Sequence, residues 1–159
     1  MENVESSSFK DIKSGDLIAW TNTDSIYSKL IRLFTLSEIT HVGIAIEEDG
    51  VLYVVEAVSP AIRKVPLVDR LPFLHLPMDV EMTDYLTDTL NSYIGKEYSK
   101  LQAVLSLFNI YIDDDLWYCT EKAYDFYSKA GIEFDKRLTP TRFFKQAMMR
   151  SKRVNNIEA

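Results

Sequence analysis

Two apolar runs, Thr40–Ile46 and Val51–Val58, flank Glu47-Glu48-Asp49-Gly50, and this pattern predicts an antiparallel hairpin. Side chains alternate across a strand, so the register of the hairpin decides which residues share a face. A loop over residues 47–50 pairs Ile46 with Val51 and sets His41 directly opposite Glu56. A tighter loop at Asp49-Gly50 pairs Glu48 with Val51 and sets His41 opposite Val58. Glu56 then stays on the His41 face, one pair away. Loops with an odd number of residues would part them, barring a bulge. The His41 face also carries the small residues Gly43 and Ala45, which leave room for a helix or ligand, whereas Val42, Ile44 and Ile46 read as core.

The rest of the chain divides into strands followed by helices, which predicts an α+β fold. Asp16–Trp20 follows the turn signal Ser14-Gly15 and reads as a short buried strand. Ser25–Phe34 has an apolar stripe at helical spacing (Ile26, Leu30, Ile31, Phe34) behind a cap at Thr23 or Asp24. Prolines 60, 66, 72 and 77 punctuate short extended pieces, with a strand over Leu71–Leu76. Helices are predicted over Val80–Tyr93, Ser99–Phe108 and Cys119–Ala130, with Gly95 and Gly131 ending the first and third. Thr139-Pro140 is an N-cap followed by proline at the first helical position of Thr141–Met149. The division is a lead-in over 1–13, one domain over 14–149 and a polar tail over 150–159.

At 159 residues with 47% hydrophobic composition, the chain can build a sizeable core. A net charge of -6 argues against nucleic acid as the main partner. The single cysteine allows no internal disulfide, and one Cys with two His does not make a structural zinc site. The N-terminus lacks the basic start and apolar run of a secretory signal, so a cytoplasmic location is expected. The apolar stretch Leu101–Ile112 is well short of the ~20 residues of a membrane span.

Chemistry concentrates in three residues. Cys119, in Tyr118-Cys119-Thr120-Glu121, heads its predicted helix, where free N–H groups and the helix dipole favour a thiolate and could hold an oxyanion. His41 can serve as its base and Glu56 as the group that orients the base. The bland alternatives are a buried free cysteine, a strand histidine and an edge-strand charge. His41 and Cys119 are far apart in sequence, so no local rule brings them together.

These residues fall in an order. Gly15-Asp16-Leu17-Ile18 is followed by Ser37-Glu38-Ile39-Thr40-His41-Val42-Gly43-Ile44, Val55-Glu56-Ala57, Gly95-Lys96-Glu97-Tyr98, Tyr118-Cys119-Thr120-Glu121 and Thr139-Pro140. From about residue 14 to 145 the chain resembles the circularly permuted NlpC-type cysteine peptidases, the YiiX/YebB-like branch of the papain-like superfamily. The resemblance implies a small antiparallel sheet packed against helices, with the His strand preceding the Cys helix. It implies Cys119 as nucleophile, His41 as base, Glu56 as the third residue of the triad and Tyr98 as a substrate-binding aromatic. It makes Asp16 structural and Thr139-Pro140 a cap near the site. Where the family often has Cys-Ser-Glu-Leu-Val, this chain has Cys119-Thr120-Glu121-Lys122-Ala123, so Lys122 replaces an apolar residue. Asp113-Asp114-Asp115 adds negative charge ahead of the nucleophile.

The activity implied is thiol hydrolysis of an amide or ester, on a peptide, a peptidoglycan-like peptide or an acyl substrate, with no cofactor, metal or stable membrane insertion. A thiol-dependent lipid acyltransferase, with Leu101–Ile112 lining an acyl groove, is the rival catalytic reading. A non-catalytic binding module on the same fold is the third, since fold alone does not license function. Oligomeric state is not legible.

Overall fold

The computed structural model describes residues 4–6, 9–21, 39–98, 119–135, 138–151 and 153–157. The helices expected over 25–34 and 99–108, the apolar stretch 101–112 and the acidic run 113–115 lie outside these residues. The described strands are β1 (Val4–Ser6), β2 (Leu17–Trp20), β3 (His41–Glu48), β4 (Val51–Ala57), β5 (Ile62–Pro66), β6 (Phe73–Leu76) and β7 (Val154–Ile157). The described helices are α1 (Asp84–Ser92), α2 (Cys119–Lys129) and α3 (Pro140–Ser151). The strands form one sheet in the order β1-β7-β6-β2-β3-β4-β5, antiparallel except for the parallel β1–β7 pair. The result is a mixed α and β architecture in which every described α-helix follows β6.

The hairpin takes the tighter of the two registers. Glu48 pairs with Val51, Asp49 and Gly50 occupy the loop with positive φ, and Gly43 pairs with Glu56. Positive φ at both loop residues is the requirement of a two-residue hairpin turn, and Asp-Gly meets it. Asp84–Ser92 starts later than predicted, because Thr83 is the N-cap and its hydroxyl accepts from Leu86 N at 3.2 Å. Pro140 opens α3 as expected, with the Thr139 hydroxyl accepting from Arg142 N.

The sheet separates two apolar clusters. One joins Leu17, Val42, Ile44, Ile46 and Val55 to helix residues Leu90, Cys119, Ala123, Phe126, Tyr127 and Phe143. The other, on the opposite face, joins Ile18, Trp20, Ala45, Val54, Leu67, Phe73 and Ile157. The small-residue face of β3, with room for a helix or a ligand, is not the face that α2 covers. Helix α2 packs on the Val42 and Ile44 face, because its apolar stripe gains more by meeting large side chains than by meeting Gly43 and Ala45.

Both chain ends contribute strands to the sheet. The lead-in carries β1 and the tail carries β7, which pairs with both β1 and β6. The tail sequence is polar, yet Asn155 is completely buried. Its amide donates to His75 Nδ1 at 3.0 Å, and His75 Nε2 donates to Asp16 Oδ2 at 2.7 Å. Asp16 Oδ1 accepts from Met78 N. A hydrogen-bonded chain rather than hydrophobic periodicity thus ties β7 to β6 and to the residue before β2, where apolar pattern gives no warning of a strand. Among the described residues no helix is long and apolar enough to cross a membrane.

Candidate active site

His41 is the first residue of β3 and Cys119 the first residue of α2. The helix lies on one face of the sheet and the imidazole shares the other with Glu56, so they meet at the end of the strand. There the Cys119 thiol comes close to the His41 side chain and the Val42 N–H, and both favour its thiolate. His41 Nε2 donates to Glu56 Oε2 at 3.0 Å. A carboxylate can only accept, so Nε2 carries the proton and Nδ1 is the nitrogen left for the sulfur. All three residues are buried, Glu56 completely.

The Glu56 side chain reaches diagonally across the hairpin, from its pair position beside Gly43 to His41. Gly43 is required there. A Cβ at 43 would stand 2.7 Å from a Val54 methyl and 3.2 Å from the Val55 carbonyl oxygen. The ring is held from its flat side by its β2 neighbour Trp20, stacked at 5.1 Å between centroids. Trp20 Nε1 in turn donates to Arg70 O at 2.8 Å, and the Arg70 guanidinium lies over the indole.

A buried carboxylate needs compensation, and Glu56 has it twice over. Arg63, its cross-strand partner on β5, donates from Nε and Nη2 to Oε1 at 3.0 and 2.7 Å. Arg70 donates from Nη2 to Oε2 at 3.1 Å. Arg70 Nε is also 3.0 Å from Oε1 but is not aligned to donate, so this contact is electrostatic only.

These contacts determine the protonation states. Burial pushes the Glu56 carboxyl up, but the His41 bond and charge with the two arginines outweigh it and bring it down to about 2. Burial pulls His41 down, yet the bonds and charges of Cys119 and Glu56 leave it above its ordinary value. Burial pushes the Cys119 thiol up, and the His41 bond and charge, the Val42 N–H and the Lys122 charge together bring it below its ordinary value. The directions agree: each group favours the charged form beside the other, a thiolate with an imidazolium.

Of the residues singled out in the sequence, Cys119, His41 and Glu56 come together. Tyr98 is half-buried at the edge of the helix-side cluster that also holds Cys119, and its N–H donates to Pro60 O at 2.9 Å. Asp16 belongs to the His75 chain. Sequence reasoning missed Trp20, Arg63 and Arg70 as neighbours of the trio. Trp20 and Arg63 follow from strand pairing with His41 and Glu56, but β5 was concealed among prolines. Among the described residues no group of three or more His, Cys, Asp and Glu is placed to hold a metal ion.

The fold and this thiol, imidazole and carboxylate chain define an α and β sheet domain with a buried polar relay at one strand end. No family model matches the chain, and no curated protein matches it. Among solved structures, the metalloprotein yiiX from Escherichia coli O157:H7 is similar, with a TM-score of 0.61 and 22% sequence identity. The match covers 91% of this chain and 96% of that one, which shows a shared fold over nearly the whole length. That structure's description calls it a metalloprotein.

Proposed function

We propose that this protein is a thiol hydrolase with a permuted papain-like, NlpC-type fold, in which Cys119, His41 and Glu56 cleave an amide or ester. The observation that carries the reading is the convergence of three buried groups at one strand end, with the Cys119 thiol beside His41 and His41 Nε2 bonded to Glu56 Oε2 at 3.0 Å. A merely buried cysteine would sit among apolar groups with its thiol pushed up, and this one stands beside a base that is itself bonded to a carboxylate.

In this mechanism the Cys119 thiolate attacks the substrate carbonyl carbon and forms a C–S bond. N–H groups at the start of α2 hold the resulting oxyanion. The His41 imidazolium gives its proton to the leaving nitrogen or oxygen as the scissile bond breaks, leaving a thioester. Neutral His41 then takes a proton from water, the hydroxide adds to the thioester, and the sulfur departs as thiolate. Glu56 keeps the proton on Nε2 throughout, so the nitrogen facing the sulfur is the one that exchanges protons. Tyr98 contributes a substrate contact. Peptide amides, including cell-wall peptides, and acyl esters or amides are the substrate classes.

The test is the pH dependence of Cys119 alkylation by iodoacetamide in the wild type and in His41→Ala. A titration below the ordinary thiol value of ~8.5, lost in His41→Ala, is expected. A normal titration that ignores His41 would overturn the reading and favour a binding module. An activated thiol then warrants turnover assays on amide and ester substrates.

A further inference from the structure

Helix α2 buries residues 119, 120, 122, 123, 126 and 127, a stripe in which an apolar side chain is expected at every position facing the sheet. Position 122 is a lysine instead, and it is completely buried. Lysine is almost never fully buried without a partner. The Lys122 ammonium donates to the Val55 carbonyl oxygen at 2.5 Å, on the residue before Glu56 in β4. It lies three residues after Cys119, hence on the same side of the helix. The charges it feels are those of Cys119, on its own helix, and Glu56, on the strand it binds. Around these stand His41 on β3, Arg63 on β5 and Arg70 in the turn Leu67–Arg70.

Glu56 already has two guanidiniums and the imidazole, so it does not require a further cation. A carbonyl oxygen does not require an ammonium either, since a neutral donor would serve. The sulfur is compensated by the His41 imidazolium, whose proton is transferable, and by the neutral Val42 N–H. In the resting pair, and again when the thiolate departs from the thioester, Lys122 adds to the His41 imidazolium a second positive charge that takes no part in the proton transfer.

We propose that Lys122 is a positioning residue of the site: pinned to Val55 O, its buried ammonium fixes the first turn of α2 against β4 and holds the Cys119 sulfur anionic. This rests on the thiol-hydrolase reading. The charge is available at neutral pH: burial pulls Lys122 down, the charges of Cys119 and Glu56 oppose it, and the group settles at about 8.

The experiment is the same iodoacetamide titration on wild type, His41→Ala, Lys122→Met and Lys122→Gln. Met has the length of lysine without its charge, and Gln keeps an N–H donor for Val55 O. The expected result is a low, His41-dependent wild-type titration that moves up by about one pH unit in both Lys122 variants, as loss of a nearby opposite charge requires. A low, His41-dependent wild-type titration unchanged in the Lys122 variants overturns the role of Lys122 and leaves the hydrolase reading standing. A wild-type thiol at its ordinary value, indifferent to His41→Ala, overturns both. Should Lys122→Met fail to fold, Lys122→Gln alone decides, because it spares the contact to β4 and removes only the charge.

Discussion

The chain has two histidines, and each donates from Nε2 to a buried carboxylate. They differ in what meets the second nitrogen. At His75 it is the Asn155 amide, 3.0 Å away, a donor that cannot release its proton. At His41 it is the Cys119 thiol, an acid that can give its proton to the ring. The surroundings differ in the same sense. Asp16 is satisfied by backbone N–H groups of Lys13 and Met78, which belong to the frame. Glu56 is satisfied by arginine side chains, one with a half-exposed side chain. A carboxylate–imidazole pair is therefore not a site by itself. Closed by an amide it is a clamp between strands; closed by a thiol it has the parts that proton transfer needs.

The largest expected effect separates the two histidines by activity. Cys119→Ser and His41→Ala should each lower kcat/KM by about a thousandfold or more, on whichever amide or ester the wild type turns over. His75→Ala should leave turnover per folded molecule within about twofold, since nothing at His75 touches the thiol chain. Equal activity in the wild type and Cys119→Ala would break the distinction.

Glu56 comes next, because it links stability to pH. Its carboxyl is about 2 in the folded protein against 4.5 unperturbed. A depressed folded value means that the stabilisation is complete above the unfolded value and is lost as pH falls toward the folded one. Urea unfolding of the wild type should thus lose on the order of 3 kcal/mol from this group between about pH 5 and 2. Glu56→Gln should lack that component of the acid loss. Its turnover should drop by about ten- to a hundredfold rather than vanish, since Glu56 orients the base and does not react. An acid limb in Glu56→Gln identical to that of the wild type would show that the carboxylate is not the anchor of this relay.

His75→Ala should cost about 2 kcal/mol, from a buried carboxylate and a buried amide that lose a shared partner. The loss should concentrate where the clamp acts, as faster hydrogen exchange in Phe73–Leu76 and Val154–Ile157. Uniform loss of protection across the sheet would mean that β7 is no local addition but part of the cooperative core.

The contrast also explains what could be read in the chain. The His41–Glu56 relation was legible because it rests on period-two alternation and an Asp-Gly turn, both local. The helix at Cys119 was legible from its spacing and from Gly131. The clamp was not, since Asp16, His75 and Asn155 converge over long separations and carry no apolar pattern. The approach of α2 to the opposite face of β3 was not legible for a related reason: which face a helix covers depends on the whole complement of large side chains on it. Lys122 stood out as a departure from a family pattern, and its meaning came only with the Val55 carbonyl and the neighbouring charges.

The smallest expected effect tests how far the reactive relay extends outward. Arg63 and Arg70 both bind Glu56, but their side chains are 47% and 26% exposed. Arg63 ends its contacts at the carboxylate, whereas Arg70 also covers Trp20 and so braces the face of the His41 ring. An exposed guanidinium gains little from an ion pair that water already screens, so Arg63→Gln should cost less than about 1 kcal/mol in urea unfolding. Its turnover should fall by no more than about threefold, because Glu56 keeps Arg70 and His41. Arg70→Gln should cost more in turnover than Arg63→Gln at similar stability, through the freed indole and a looser imidazole. The reverse order would place the control of Glu56 on β5 rather than on the Trp20 stack. The polar partners of the carboxylate, not the aromatic packing of the base, would then distinguish His41 from His75.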